Sequence, residues 1–154
     1  MSQAAAIGAE LRALVAQACI ALVLEINREL IKATPVDTGH ARANWVPSIG
    51  QPTIGEFATT GEQTQGSARV LSFKFADGVL YISNGVPYIQ RLNAGHSTQA
   101  PSLFVEAAVD RAYATIQARY ASKGIDLGRG GFQSQIGGEG AGNLASAYSP
   151  FGGD

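Results

Sequence analysis

Apolar residues recur every three or four positions at the start of the chain: Ile7, Leu11, Leu14, Val15, Ala18, Leu22, Ile26 and Leu30. That spacing holds them on one face and predicts a single long helix over 3–33. Ile20, Leu24 and Ile31 widen the stripe, so the helix is expected to be buried on more than one side, with a neighbouring copy on the second side. Pro35 ends it, because the residue before a proline avoids the helical region. The pattern then shortens. Residues 43–49, with Trp45, read as a first strand, and 50–68 carry no period and read as a long loop. In 69–75, Leu71, Phe73 and Phe75 alternate with Val70, Ser72 and Lys74, the period of a half-buried strand. Asp77-Gly78 follows as a hairpin turn, and 79–83 is its expected partner strand.

Residues 88–99 read as a helical turn and a loop, and Pro101 as the opening of a second helix. Val105, Val109, Ala112, Tyr113, Ile116 and Tyr120 form the apolar stripe of that helix, with Glu106, Asp110 and Gln117 facing out. Lys123 and Gly124 supply a basic last turn and a stop. The pattern amounts to an α+β domain over 1–123: a small antiparallel sheet packed by a long N-terminal and a C-terminal helix. An extended Gly-rich extension, 124–154, follows and holds ten of the chain's 19 glycines. Its apolar residues are scattered singly and cannot by themselves offset the entropy of ordering it. Phe132, Ile136, Leu144, Tyr148 and Phe151 are therefore read as contacts to neighbouring subunits.

Composition sharpens this. Only 15% of residues are charged, against about a quarter in an ordinary soluble domain, which implies surface covered by other chains. A formal net charge of −1 provides no global field for nucleic acid or anionic lipid. The N-terminus lacks the basic start of a signal peptide. The run 13–24, between Arg12 and Glu25, falls short of the about 20 residues of a membrane span, so no membrane partner is expected.

The candidate chemistry is thin. Cys19 has no second cysteine and sits in an apolar stretch, where a small buried hydrophobe is expected. His40 and His96 lack the companions of a metal site. Asp37-Thr38-Gly39 matches the aspartic-protease triplet, but it follows a helix-ending Thr-Pro-Val rather than an apolar strand. A turn in which the Asp37 carboxylate accepts backbone amides and Gly39 takes positive φ is the better reading. Arg42, Lys74 and Arg91, with Trp45, Tyr81 and Tyr88 between them, read as dispersed charges beside core aromatics rather than a nucleic-acid patch. No catalytic residue, metal or cofactor is assigned.

Two stretches carry a resemblance. The first is Thr34-Pro35-Val36-Asp37-Thr38-Gly39-His40-Ala41-Arg42-Ala43-Asn44-Trp45, directly after the long helix. The second runs from Tyr88 through Arg91-Leu92-Asn93, Gly95-His96-Ser97 and Gln99-Ala100-Pro101, directly before the last helix. In this order and separation the pair resembles the neck and tail-completion proteins of long-tailed bacteriophages, over roughly residues 1–122. Members of that family often carry Arg at the place of His40 and Glu at the place of Asn93. The resemblance implies a non-catalytic virion component without a cofactor, assembled in the host cytoplasm as a homo-oligomeric, hexameric ring. Such a ring joins the portal-side head-completion protein to the tail terminator or tail tube, and DNA passes through without sequence-specific binding. A tail terminator or minor tail protein is the nearest alternative. Pro35, Asp37, Thr38, Gly39, Arg42 and Trp45 would set the angle between helix and sheet. Tyr88, Gly95, Ser97, Gln99 and Pro101 would orient the last helix. The expected roles of 50–68 and 124–154 are contacts with an adjacent ring and a clasp on a neighbour.

Overall fold

The computed structural model describes residues 2–126. The five expected subunit contacts from Phe132 to Phe151 therefore lie outside the described residues, as does all but the start of the Gly-rich extension. The elements in order are α1 (Gln3–Ala33), α2 (His40–Ala43), β1 (Val46–Ile49), α3 (Gly61–Val70), a 3-10 turn (Phe75–Asp77), β2 (Leu80–Ser83), α4 (Ile89–Asn93) and α5 (Phe104–Ala121). The chain is mixed α+β, with one two-stranded antiparallel sheet among the described residues.

α1 starts where Ser2 Oγ accepts the Ala5 amide at 3.3 Å, an N-cap bond to the third helical residue. It ends as Pro35 requires: Thr34 turns extended at ψ 127°. α5 lies antiparallel to α1. Its first half packs Phe104, Val105, Ala108 and Ala112 with Ile26 and Leu30, and its second half places Ile116 and Tyr120 on Ala18. Ala108 and Ala112 have no accessible surface, so the two backbones approach closely. Buried Glu29 bridges the pair. One carboxylate oxygen accepts Arg28 Nη2 at 2.8 Å and the other accepts Arg111 Nε at 3.0 Å. On the outer side of α1, the Arg28 hydrogen bond holds the Glu25 carboxyl below its ordinary range.

α5 stops in a Schellman motif. Gly124 adopts φ 74°, its amide reaches Ala121 O, and the Ile125 amide reaches Tyr120 O at 3.0 Å. Ile125 folds back onto Tyr120 and Ala18, the apolar contact that accompanies this motif. The chain therefore leaves the body beside Leu14, and residues 3–13 of α1 run on past the end of α5. α1 is long and apolar enough to cross a membrane by length and composition alone, so Arg12 does not bound its apolar stretch as the sequence reading supposed. Toward its N-terminus the stripe is uncovered among the described residues, with Ile7 and Leu11 each 59% exposed.

The sheet departs from the expected one. Residues 69–75 are not a strand, and no 69–75/79–83 hairpin forms. β2 pairs instead with β1, in the register Val46↔Ser83, Pro47↔Ile82, Ser48↔Tyr81 and Ile49↔Leu80. The alternation misled because the buried residues of 69–75 are Val70 and Phe73, three apart, at the spacing of a helical turn. Leu71 and Phe75, assigned inward, are 63% and 54% exposed. Residues 50–68 are likewise not one loop, since 61–68 already belong to α3. A pair of strands this short is marginal alone. α3 supports it from one side, with Gly66 against Val46 and Pro47, and Ile82 joins the core between α1 and α5.

Candidate functional site

The connector 34–45 and the loop 88–103 meet at one end of the α1–α5 pair. Gln99 Oε1 accepts the Val36 amide at 3.0 Å, a bond between residues 63 apart in sequence. The two stretches that carry the resemblance thus form one rim, joined by a side chain of one and a backbone group of the other.

Within the connector, Thr34 is the junction. Its hydroxyl donates to Leu30 O at 2.6 Å and accepts the Trp45 indole N–H at 2.8 Å, while its carbonyl accepts Arg42 Nη2 at 3.1 Å. Thr34 and Trp45 are both buried, so the end of α1, α2 and the start of β1 are locked at a fixed angle. The Thr34→Val variant keeps the shape and removes the acceptor for a buried indole N–H. Urea unfolding should show a loss of about 2 kcal/mol, the cost of an unsatisfied buried donor.

Gly39 adopts φ 82°, as expected, and launches α2. The turn bond is made differently from the expectation. Thr38 Oγ1, not the Asp37 carboxylate, accepts the His40 amide at 3.3 Å. Asp37 is exposed and has no hydrogen-bonded partner, a second carboxylate included, among the described residues. Pro35 is half-buried beside it. His40 Nε2 lies 2.9 Å from a Glu56 oxygen, which ties the loop after β1 to the connector. No cluster of three metal-ligating side chains occurs among the described residues.

The loop before α5 is organised by Asn93. The backbone of α4 closes on Gly95 at φ 93°, where an added Cβ would sit 3.1 Å from Ser102 Cβ. Ser97 Oγ then accepts the Gln99 amide. α5 does not open at Pro101. Pro101-Ser102-Leu103 makes a further turn, and Leu103 takes the left-handed conformation at φ 61° with no side-chain cap of its own. Asn93 supplies the cap from outside: its carbonyl accepts the Leu103 amide at 2.7 Å and its Oδ1 accepts the Val105 amide at 2.9 Å. Asn93 Nδ2 donates to Glu106 at 2.9 Å, so Glu106 is engaged rather than simply facing out.

Asn44 works in the same way, with Nδ2 donating to His40 O and Phe57 O and Oδ1 accepting the Phe57 amide. Asn84 Nδ2 donates to Ala41 O, and Gln63 Nε2 to Arg42 O. None of these amides was given a structural role from the sequence, where Asn93 stands only as a departure from the family's Glu. Nothing local marks them, because each has a partner between 12 and 43 residues away. Arg42 Nη2 and the Trp45 indole N–H both bond Thr34 inside the connector, while Arg42 Nε is buried without a partner among the described residues. Among the expected rim residues, Asp37, Thr38, Tyr88, Gly95, Gln99 and Pro101 remain exposed, together with Val36 and Leu103. Cys19 is half-buried, and burial raises its thiol, the opposite of an activated nucleophile.

Compared with known proteins, the chain matches no family model, no curated protein and no solved structure.

Proposed function

We propose that this chain is a structural virion protein of the head–tail junction of a long-tailed bacteriophage, a neck or tail-completion protein. It assembles into a closed ring, by analogy a homohexamer, between the portal-side head-completion protein and the tail terminator or tail tube. Encapsidated DNA passes through the ring without sequence-specific contact. The reading is carried by the Val36–Gln99 bond: the two stretches that resemble the family are also the two that build one rim. Supporting it, many polar groups of the connector and loop are spent on fixing backbone, and the exposed rim carries the apolar Val36, Tyr88, Pro101 and Leu103 beside the charged Asp37 and Arg91. Such a rim suits docking of a rigid partner. The low charge content and the bare helix face at the other end suit a protein covered on two sides. Ring contacts are heterologous, so two unlike faces on one subunit are what closure needs.

The test is genetic and structural. Removing the chain from the phage that encodes it should leave DNA-filled heads and complete tails unjoined, as seen by electron microscopy. Supplying the full chain should restore joined particles. Joined particles in its absence overturn the proposal, as does sequence-specific DNA binding by the isolated protein at physiological salt.

A further inference from the structure

The two-stranded sheet has one edge open among the described residues. The Gly50 amide donates to Val79 O at 2.8 Å just beyond the strands, continuing the register that sets Ile49 opposite Leu80. Hydrogen-bonded pairs alternate along an antiparallel ladder, so Ser48 with Tyr81 and Val46 with Ser83 are the bonded pairs. The residues between them turn their N–H and C=O groups away from the partner strand. On β1 these are Pro47 and Ile49. Pro47 has no N–H to leave unpaired there, and its carbonyl points at α3, where Gly66 lies against it. On β2 they are Leu80 and Ile82. No backbone group among the described residues bonds their outward N–H and C=O groups. Both residues are half-buried, so the open edge is partly sheltered rather than fully in water.

We infer that the outer edge of β2 accepts a third strand, and that residues 132–136 of the same subunit supply it. Phe132-Gln133-Ser134-Gln135-Ile136 carries the strand signal within 127–154. Phe132, Ser134 and Ile136 alternate with two glutamines, between Gly130-Gly131 on one side and Gly137-Gly138 on the other. An extended backbone puts Phe132 and Ile136 on one face and the glutamines on the opposite one. Leu80 and Ile82 also share a face, the one by which Ile82 joins the core between α1 and α5. Setting the two apolar faces side by side continues that core surface and bonds the open backbone groups of Leu80 and Ile82. The exit of the chain fits this route. Ile125 packs on Ala18, and Ile82 packs on the cluster that contains Ile26, about 12 Å further along α1. Residues 127–131, fully extended, reach about 17 Å. A strand tethered so closely outcompetes the same strand from another copy through its effective concentration. Two strands of four residues are also marginal without a third. Composition alone pointed Phe132 and Ile136 at neighbouring subunits, whereas the open edge provides a site for them on their own. Such a strand forms whether or not the copies close into a ring.

The experiment is nuclear magnetic resonance on the full chain. Nuclear Overhauser contacts should join the backbone of 80–82 to that of 132–136. The Leu80 and Ile82 amides should exchange about a hundredfold more slowly than those of an open chain. Phe132→Asp combined with Ile136→Asp should return both amides to rapid exchange, while Tyr81 and Ser83, bonded to β1, stay protected. Absence of contacts between the two stretches in the parent protein overturns the proposal, and this measurement decides even where the variant loses the whole sheet. Rapid exchange of Leu80 and Ile82 in the parent overturns it too, as does protection that survives the double substitution. The donor is decided by refolding labelled parent chain with an excess of the unlabelled double variant. Unchanged protection of Leu80 and Ile82 places the strand in the same subunit. A fall in proportion to the variant's share assigns the strand to a neighbouring copy and overturns the intramolecular pairing.

Discussion

Gly66→Ala should destabilise the protein by about 2 kcal/mol, although alanine is the better helix former. Gly66 lies inside α3, where propensity alone predicts a gain of about 1 kcal/mol. Packing opposes it. A Cβ at this position would fall 2.4 Å from Pro47 O and 3.0 Å from Val46 Cγ1. The carbonyl belongs to a strand whose φ is fixed by proline and whose register with β2 is set, so it cannot swing aside. Overpacking of this kind costs about 1–3 kcal/mol or more, and here it exceeds the propensity gain. Gly61→Ala provides the control. It stands at the start of the same helix with only Thr59 Oγ1 at 3.4 Å, and it should be neutral or slightly stabilising. Urea titration of both variants decides the matter. A Gly66→Ala protein as stable as the parent would mean that α3 does not rest on β1 as described.

Asn93→Ala should cost about 2–3 kcal/mol, more than a surface cap is worth. The side chain is buried and does two things at once: it caps the Val105 amide and holds Glu106. Its loss leaves a buried amide unpaired at the start of α5. Leu103, in a left-handed conformation that already costs about 1 kcal/mol or more for a residue with a Cβ, loses the anchor that holds it there. Hydrogen exchange should show the damage confined to the first turn of α5, with Val105 losing protection before Ala112. Uniform loss along the helix would show instead that Asn93 only fills space.

The two long helices were legible because each repeats one apolar period over many residues. The end of α1 was legible to the residue, because Pro35 acts on its immediate neighbour. The positive φ of Gly39 and the stop at Gly124 were legible for the same reason: a glycine acts locally. The sheet was not. In 69–75 a run of alternating residues met a helical turn, and so short a window holds two buried positions whose spacing only the packing partners fix. α3 was hidden by its two glycines, which lower helix propensity; Gly66 is there because a strand passes too close for a side chain. The rim was half legible. The two motif stretches meet, but Asp37 does not make the turn bond and Pro101 does not open α5. Of the groups that hold the rim together, Thr34 pairs with the Trp45 indole, and Asn44, Asn84 and Asn93 bond to backbone outside their own elements.

The sequence by itself determined the two long helices, the end of α1, the stop after α5, the mixed α+β class and the apolar character of the first helix, because all of these follow from neighbours within a turn or two. Tertiary structure alone decided which strand pairs with which and how α5 is capped, because those bonds join residues far apart in the chain. It also decided where α1 outruns its partner. The stripe on α1 is continuous from Ile7 to Leu30, and nothing in its period marks where cover ends. That limit comes from the length of α5 and its stop at Gly124, which leave Ile7 and Leu11 exposed among the described residues.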